Sequence, residues 1–322
     1  LVEARPVAGA GAGAAARETR VTRDQLRRLS ASSSPARVGC VLAIQNRSAD
    51  RLERTLDTYA YQTLEPIDKV LVDYGSGVDH SSAYRHLARK YGWRLFRVTP
   101  VDPRWSLSAA YNLAVSRLDR QVEVVFKNDV DVLLGEDVLE WAGQLGKQTY
   151  CVFSCLTTAD GATYGQRLQS HKDLESLLHA DPPPTPMTGD GIHAYPREWF
   201  ESIGGFDLQF VMWGYQESDL HTRASWTIGS VRADGPLLIH QWHPPQVSAE
   251  DAQKNRAYYD LMKRSRVVVR NSGRLFDTSR LGSVDEDRPH NFFVKAGYVA
   301  RDQPAPHAPD RAARRGVVCQ RD

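Results

Sequence analysis

The sequence holds 322 residues, enough to bury a sizeable core in one large or two smaller domains. Its 41 basic and 39 acidic residues leave a formal net charge of +2, which excludes the strongly basic face of a sequence-independent nucleic-acid binder. A composition of 41% apolar and 25% charged residues excludes wholesale disorder, and no apolar run reaches the ~20 residues that cross a bilayer. Residues 1–36 are rich in Ala, Gly and Ser and are expected to form a flexible arm, in which only TRDQLRRL (22–29) hints at a helix. The run VAGAGAGAAA is too weakly apolar for the core of a secretory signal.

VGCVLAI (38–44) is a short, β-branched, apolar run and reads as a strand covered on both faces. A helix follows, with Ser48 as cap and Leu52, Leu56, Tyr59 and Ala60 at helical spacing. KVLVD (69–73) is a second strand ending in the turn YGSG. The helix after it ends on Gly92, and RLFRV (94–98) is a third strand. SLSAAYNLAVSRL reads as a helix, VEVVFK (122–127) as a fourth strand running into NDVD, and EDVLEWAGQL as another helix. Strands alternating with crossover helices predict a mostly parallel α/β sheet with helices on both faces and ligands at the carboxyl ends of its strands.

After Tyr150 the pattern changes. The strand YCVFSCL precedes the proline-rich DPPPTP (181–186). REWFESIGGFD, ESDLHTRASW, the strand GPLLIHQWH and a late helix SAEDAQKNRAYYDLMKR then make a mixed α+β appendage. One domain is expected over 37–282, with halves 37–145 and 146–282, and a flexible tail over 283–322. Cys40, Cys151, Cys155 and Cys319 lack metal spacing and read as buried thiols in a reducing compartment, so a cytoplasmic protein is expected.

Four spots carry chemistry. Asp129 and Asp131 face one side if the chain stays extended after the fourth strand, and two such carboxylates invite a divalent cation holding a diphosphate. Asp73 ends the second strand before Gly75 and Gly77, suited to a hydrogen bond with a base or ribose, although such a strand end also suits a plain turn. In FVMWGYQESDL (210–220), Trp213 offers an aromatic wall and Glu217 and Asp219 open a helix, where a carboxylate serves either the helix dipole or a general base. His240 and His243 are candidates to complete a metal site. Zinc is not indicated, since neither HExxH nor a Cys pair accompanies them.

Together these spots resemble the GT-A glycosyltransferases, namely family-2-like enzymes and relatives with a galactosyltransferase-type C-terminal segment. VLAIQNRSADRLERTLDTYAYQT is similar to the family's opening strand and turn, LVDYGSG to its "VVDDGS", SAAYNLAV to its "ARN" helix, and VVFKNDVD to its DxD strand. GGFDLQFVMWGYQESDLHTR resembles "GGFDE.F..WG.EDxDL..R" almost position for position. The resemblance spans residues 38–245 and implies a Rossmann-like GT-A sheet with an acceptor-side appendage. It implies donor contacts at Gln45, Asn46, Arg47, Asp73, Asn112 and Asp129, and Mn2+ or Mg2+ on Asp129, Asp131, His240 or His243. It implies acceptor contacts at Trp213, Gly214 and Gln216, and a base at Glu217, with Asp219 as the alternative.

The implied reaction moves a sugar from a nucleotide-diphosphate sugar, a UDP-sugar, to a carbohydrate, glycoconjugate or small-molecule hydroxyl acceptor with inversion. DPPPTPMTGDG is the candidate lid. Four departures stand out: Tyr74 replaces the family's second Asp, Tyr111 an Arg, and Gln216 and Glu217 the usual Glu-Asp pair. A non-catalytic nucleotide-sugar-binding module remains the alternative. A sugar nucleotidyltransferase or a dehydrogenase would need a glycine-rich loop where QNRSAD follows the first strand.

Overall fold

The computed structural model describes residues 19–31, 34–159, 168–187, 191–244, 248–273 and 281–287. The chain divides into a unit Leu1–Pro289, which holds every described residue, and a unit His290–Asp322, which lies outside them together with Cys319.

The elements run β1 (Thr19–Val21), α1 (Arg23–Ser30), β2 (Val38–Ile44), α2 (Ala49–Tyr59), β3 (Asp68–Tyr74), α3 (Val78–Tyr91), β4 (Arg94–Thr99), α4 (Leu107–Arg117) and β5 (Val124–Lys127). There follow β6 (Val132–Leu134), α5 (Val138–Leu145), β7 (Tyr150–Phe153), β8 (Leu156–Thr157), α6 (His171–Ser176), β9 (Thr185–Pro186), β10 (His193–Pro196) and α7 (Arg197–Ser202). The last are α8 (Gln216–Thr227), β11 (Ser230–Ala233), β12 (Leu238–His240), α9 (Ala249–Ser265) and β13 (Ser283–Asp287).

Among the described residues the main sheet has the order β1-β11-β7-β10-β5-β2-β3-β4-β13, and β6-β12-β8-β9 form a smaller sheet. β5, β2, β3 and β4 are parallel, while β10 lies antiparallel between β5 and β7. β2 is buried along its whole length, so both its faces must be apolar. Cys40, Leu42 and Ile44 point into the cluster that holds Leu52, Leu56, Tyr84, Leu87 and Trp141. Val41 and Ala43 point the other way, to Leu107, Leu113, Phe200 and Leu220. The alternation of side chains along the strand thus sets α2, α3 and α5 on one face and α4, α7 and α8 on the other. From β2 the chain first builds outward through β3 and β4, then returns to add β5 on β2's other side. That reversal opens a crevice at the carboxyl ends of β2 and β5.

Two ends differ from expectation. Within the region read as a flexible arm, β1 pairs in parallel with β11, and Val21 and Leu26 are buried. Within the region read as a tail, β13 pairs antiparallel with β4, and Asp287 lies 2.7 Å from Arg85 and 2.8 Å from Arg89. Both strands are short and polar edge strands held by a neighbour's ladder, so hydrophobic periodicity carries no sign of them. Part of the expected lid, 188–190, lies outside the described residues, while Thr185–Pro186 pairs with β8. Cys40, Cys151 and Cys155 are buried free thiols, and no helix among the described residues is long and apolar enough to cross a membrane.

Candidate active site

The chain turns directly after β5, with the amide of Val132 donating to the Asp129 carbonyl at 3.3 Å. This turn, in place of a continued extended strand, sends Asp129 and Asp131 to different partners. β6 then pairs with β12 so that Val132 stands opposite His240, which sets His240 beside Asp131. The Nε2 atoms of His240 and His243 lie 3.7 and 3.0 Å from the two Asp131 carboxylate oxygens. One ligand atom from each residue falls within 4.8 Å of the others, a spacing that suits a single cation. Thr157 Oγ1 is 3.1 Å from His240 Nδ1 and Arg47 is 3.3 Å from His243 Nδ1, so the outer ring nitrogens are engaged and the Nε2 atoms face inward. Burial holds His240 below the ordinary imidazole range, which keeps it neutral as a ligand must be. Burial pushes Asp131 upward, but the His243 hydrogen bond and the nearby imidazoles and Arg47 outweigh it and hold the carboxyl below its usual range.

Asp129 belongs to a second cluster. Its Oδ1 accepts from Lys127 Nζ at 2.8 Å and from the Tyr111 hydroxyl at 3.2 Å. Lys127 Nζ also donates to Glu217 Oε1 at 3.2 Å and to the Gly191 carbonyl at 2.6 Å. Burial alone would favour loss of the ammonium proton, but the charges of Asp129 and Glu217 hold Lys127 above the ordinary lysine range. Two carboxylates share this one cation. Glu217 is accordingly raised, chiefly by burial, with Lys127 offsetting only part of the effect. A carboxylate raised in this way is a better base.

Asp219, two residues on, has no free oxygen. Arg223 donates to Oδ2 at 2.8 Å and Arg270 to Oδ1 at 2.9 Å, and Arg270 also reaches Asp207 at 2.9 Å. This buried set ties α8 to the GGFD turn and to the segment after α9. Before α8 the backbone is forced: Met212, Gly214 and Tyr215 have φ of 54°, 117° and 69°. Asn255 from α9 accepts from the Val211 amide at 3.1 Å and donates to the Val211 carbonyl at 2.7 Å. This brace presents Trp213 with 51% of its surface exposed. Gln216 is buried and donates to the Met212 carbonyl at 3.1 Å, while its Oε1 has no hydrogen-bond partner among the described residues.

The expected donor residues divide. Gln45, Asn46 and Arg47 follow β2 at the crevice. Gln45 Nε2 donates to the Tyr74 and Pro103 carbonyls at 2.8 and 3.0 Å, and Asn46 Oδ1 accepts from the Gly77 amide at 2.9 Å. Asp73 is wholly buried, with one oxygen accepting from the Ser76 amide at 3.1 Å and the other from the Ser81 hydroxyl. Asn112 is likewise buried and clamps Phe206, donating to its carbonyl and accepting from its amide at 2.8 Å each. The polar atoms of both side chains are thus engaged by the protein itself. Lys127 and Thr157 were not foreseen. The one available sign of Lys127 was a lysine ending an otherwise apolar strand.

A family model described as the N-terminal domain of galactosyltransferase matches residues 176–233, the stretch that carries Gly191, the GGFD turn and α8. Among solved structures, GalNAc-T7 with UDP, GalNAc and Mn2+ matches with a TM-score of 0.51 at 15% identity, over 71% of this chain and 48% of that one. The chain has the fold of the GT-A glycosyltransferases. It spans about half the length of the GalNAc-T7 structure. The mannosyltransferase PcManGT of Pyrobaculum calidifontis, with GDP-Man and Mn2+, matches at a TM-score of 0.48 and 20% identity over 75% of this chain and 69% of that one. Glucosyl-3-phosphoglycerate synthase of Mycobacterium tuberculosis, with phosphoglyceric acid, matches at 0.46 and 16% over 77% and 85%. No curated protein sequence matches the chain.

Proposed function

We propose that this GT-A chain is a metal-dependent glycosyltransferase that moves a sugar from a nucleotide-diphosphate sugar, a UDP-sugar, to an acceptor hydroxyl. The observation that carries the reading is the pairing of a three-ligand cluster, Asp131 with His240 and His243, with a buried carboxylate, Glu217, at one sheet crevice. The donor set fits a divalent ion: one carboxylate and two inward-facing imidazole nitrogens, which favour Mn2+ over the oxygen-preferring Mg2+. When bound, the ion supplies positive charge to the diphosphate leaving group. Arg47, half-buried beside His243, adds a cation for the phosphates, and Gln45 and Asn46 line the same rim.

Glu217 takes the proton of the acceptor hydroxyl as its oxygen attacks the anomeric carbon. The bond from that carbon to the diphosphate oxygen breaks, and the nucleoside diphosphate leaves with the electron pair. Attack from the face opposite the leaving group inverts the centre. Trp213 packs against the acceptor ring, and Gln216 Oε1 accepts a hydrogen bond from an acceptor hydroxyl where the family's acidic residue would stand. Asp219 serves as the anchor of α8, since both its oxygens are held by arginines. The buried thiols of Cys40, Cys151 and Cys155 suit a cytoplasmic setting.

Thermal shift against UDP-, GDP- and dTDP-sugars with Mn2+, followed by measurement of nucleotide release with and without sugar acceptors, tests the reading. Mn2+-dependent stabilisation by UDP-sugars and release accelerated by an acceptor are expected. Nucleotide-sugar binding with no release would leave a binding module, and no binding at all would overturn the proposal.

A further inference from the structure

β5 is apolar until its last residue. Val124, Val125 and Phe126 are fully buried, as a strand covered on both faces requires, but Lys127 is fully buried too. Placing an ammonium there is unfavourable until its partners compensate it, and an apolar residue in the same space often serves stability as well. The partners come from three separate segments. Asp129 lies in the turn after β5, the Gly191 carbonyl in the lead into β10, and Glu217 in the first turn of α8. The pairing of β10 with β5 sets His193 opposite Lys127 and so fixes where Gly191 passes. The approach is close, since a Cβ added at Gly191 would lie 2.9 Å from Asp129 Oδ2. Below the ammonium, the Tyr111 ring centroid is 4.7 Å away, and the Tyr111 hydroxyl donates to Asn128 O at 2.7 Å.

We propose that Lys127 is a positioning residue, which fixes the Glu217 carboxylate toward the acceptor and ties it to Asp129 on the donor side of the crevice. The inference rests on the glycosyltransferase reading of the site. Three ammonium protons meet three acceptors, so the direction of each bond is set by the other two. A loose Glu217 side chain would sample several rotamers; this bond selects one. The same atom registers α8, from the second half of the chain, against the turn after β5. Base and donor site are thereby aligned without any contact between Glu217 and Asp131.

The test uses Lys127→Met, which keeps the length and apolar volume of the side chain, and Lys127→Ala with added ethylamine. Lys127→Met should retain the wild-type affinity for Mn2+ and for UDP, since Asp131, His240 and His243 are untouched. It should lose ~10²-fold in kcat with acceptor KM within about threefold, the mark of an interaction realised in the transition state. Ethylamine should restore about tenfold of the loss in Lys127→Ala and none in Glu217→Gln. The double variant Lys127→Met/Glu217→Gln should be no slower than Glu217→Gln alone. A kcat within threefold of wild type, or rate losses that multiply in the double variant, would overturn the positioning role while leaving the glycosyltransferase reading intact. A wild-type protein that binds neither Mn2+ nor any nucleotide would instead remove that reading, and the positioning role with it. Urea unfolding of the same cycle guards against a misfolded variant: midpoints that add independently mean that Lys127 and Glu217 do not hold each other, which also overturns the inference.

Discussion

Glu217 and Asp219 share the first turn of α8, and replacing each by its amide separates their roles. The Asp219 side chain is 3% exposed and sits between the guanidiniums of Arg223 and Arg270, which are 0% and 4% exposed. Asp219→Asn removes the charge that compensates both. Breaking a buried pair in this way costs ~3–5 kcal/mol, and because the amide oxygen still accepts one bond the lower end, about 3 kcal/mol, is expected. In a domain of this size that lowers the melting temperature by roughly 6–12 °C. Glu217→Gln acts differently. Lys127 keeps Asp129 and the Gly191 carbonyl, and a carboxylate that burial opposes is gone, so unfolding should change by less than about 1 kcal/mol. Transfer should nevertheless fall ~10²–10⁴-fold, the usual contribution of a general base. Since burial raises Glu217, its ionised, active form is lost as pH falls through a value above the ordinary carboxylate range, so the acid limb of kcat/KM, which reports the free enzyme, should lie above that range. Calorimetric unfolding and initial rates of nucleotide release from pH 4 to 9 read both effects. If Asp219→Asn melts like wild type yet loses transfer, while Glu217→Gln remains active, the assignment of roles is wrong.

Three further outcomes follow from the geometry. Asp131→Asn and His240→Ala should each weaken Mn2+ binding by at least about tenfold in titration calorimetry. Wild-type binding should persist through neutral pH and fall in acid, because burial keeps His240 neutral below the range of a free imidazole. Unchanged affinity in either variant would remove the cluster as the metal site. Asn112→Ala should destabilise the fold by about 2–3 kcal/mol, by leaving the Phe206 amide without its partner, and should leave the affinity for UDP unchanged. A selective loss of nucleotide binding would instead return Asn112 to the donor site. Trp213→Ala should alter stability by no more than about 0.5 kcal/mol, since the ring is half exposed, and should raise acceptor KM roughly 3–10-fold. An unchanged KM would mean that the acceptor lies elsewhere.

The main sheet was legible because its strands solve a local problem. A run such as VGCVLAI can be stable only when both its faces are covered, and the helical spacing after it names the cover. β1 and β13 were not legible for the complementary reason. TRV and SVDED are stabilised by a neighbour's ladder, and nothing in their own pattern records that neighbour. The site shows the same division. Asp131, His240 and His243 are conspicuous residue types at strand ends, and the β6–β12 register joins them. Asp73 was equally conspicuous, but its partners Ser76 and Ser81 lie within eight residues, so a local turn had first claim on the carboxylate.

Sequence distance also explains what was split between near and far. The bond from Arg223 to Asp219 is a helical i, i+4 pair and could be read from spacing, whereas Arg270, which holds the other oxygen, stands 51 positions away. Lys127 and Glu217 are 90 positions apart, and each alone has an ordinary explanation, a snorkelling lysine and a helix-dipole acid. Only burial removes those explanations. With Lys127 fully enclosed there is no solvent for its head group to reach, and with Glu217 buried and bonded to Lys127 its carboxylate answers to more than the helix start. A buried cation held by two carboxylates is often no better for folding than an apolar strand end would be. Its bonds to Asp129 after β5 and to Glu217 in α8 are what join the proposed donor chemistry to the proposed base.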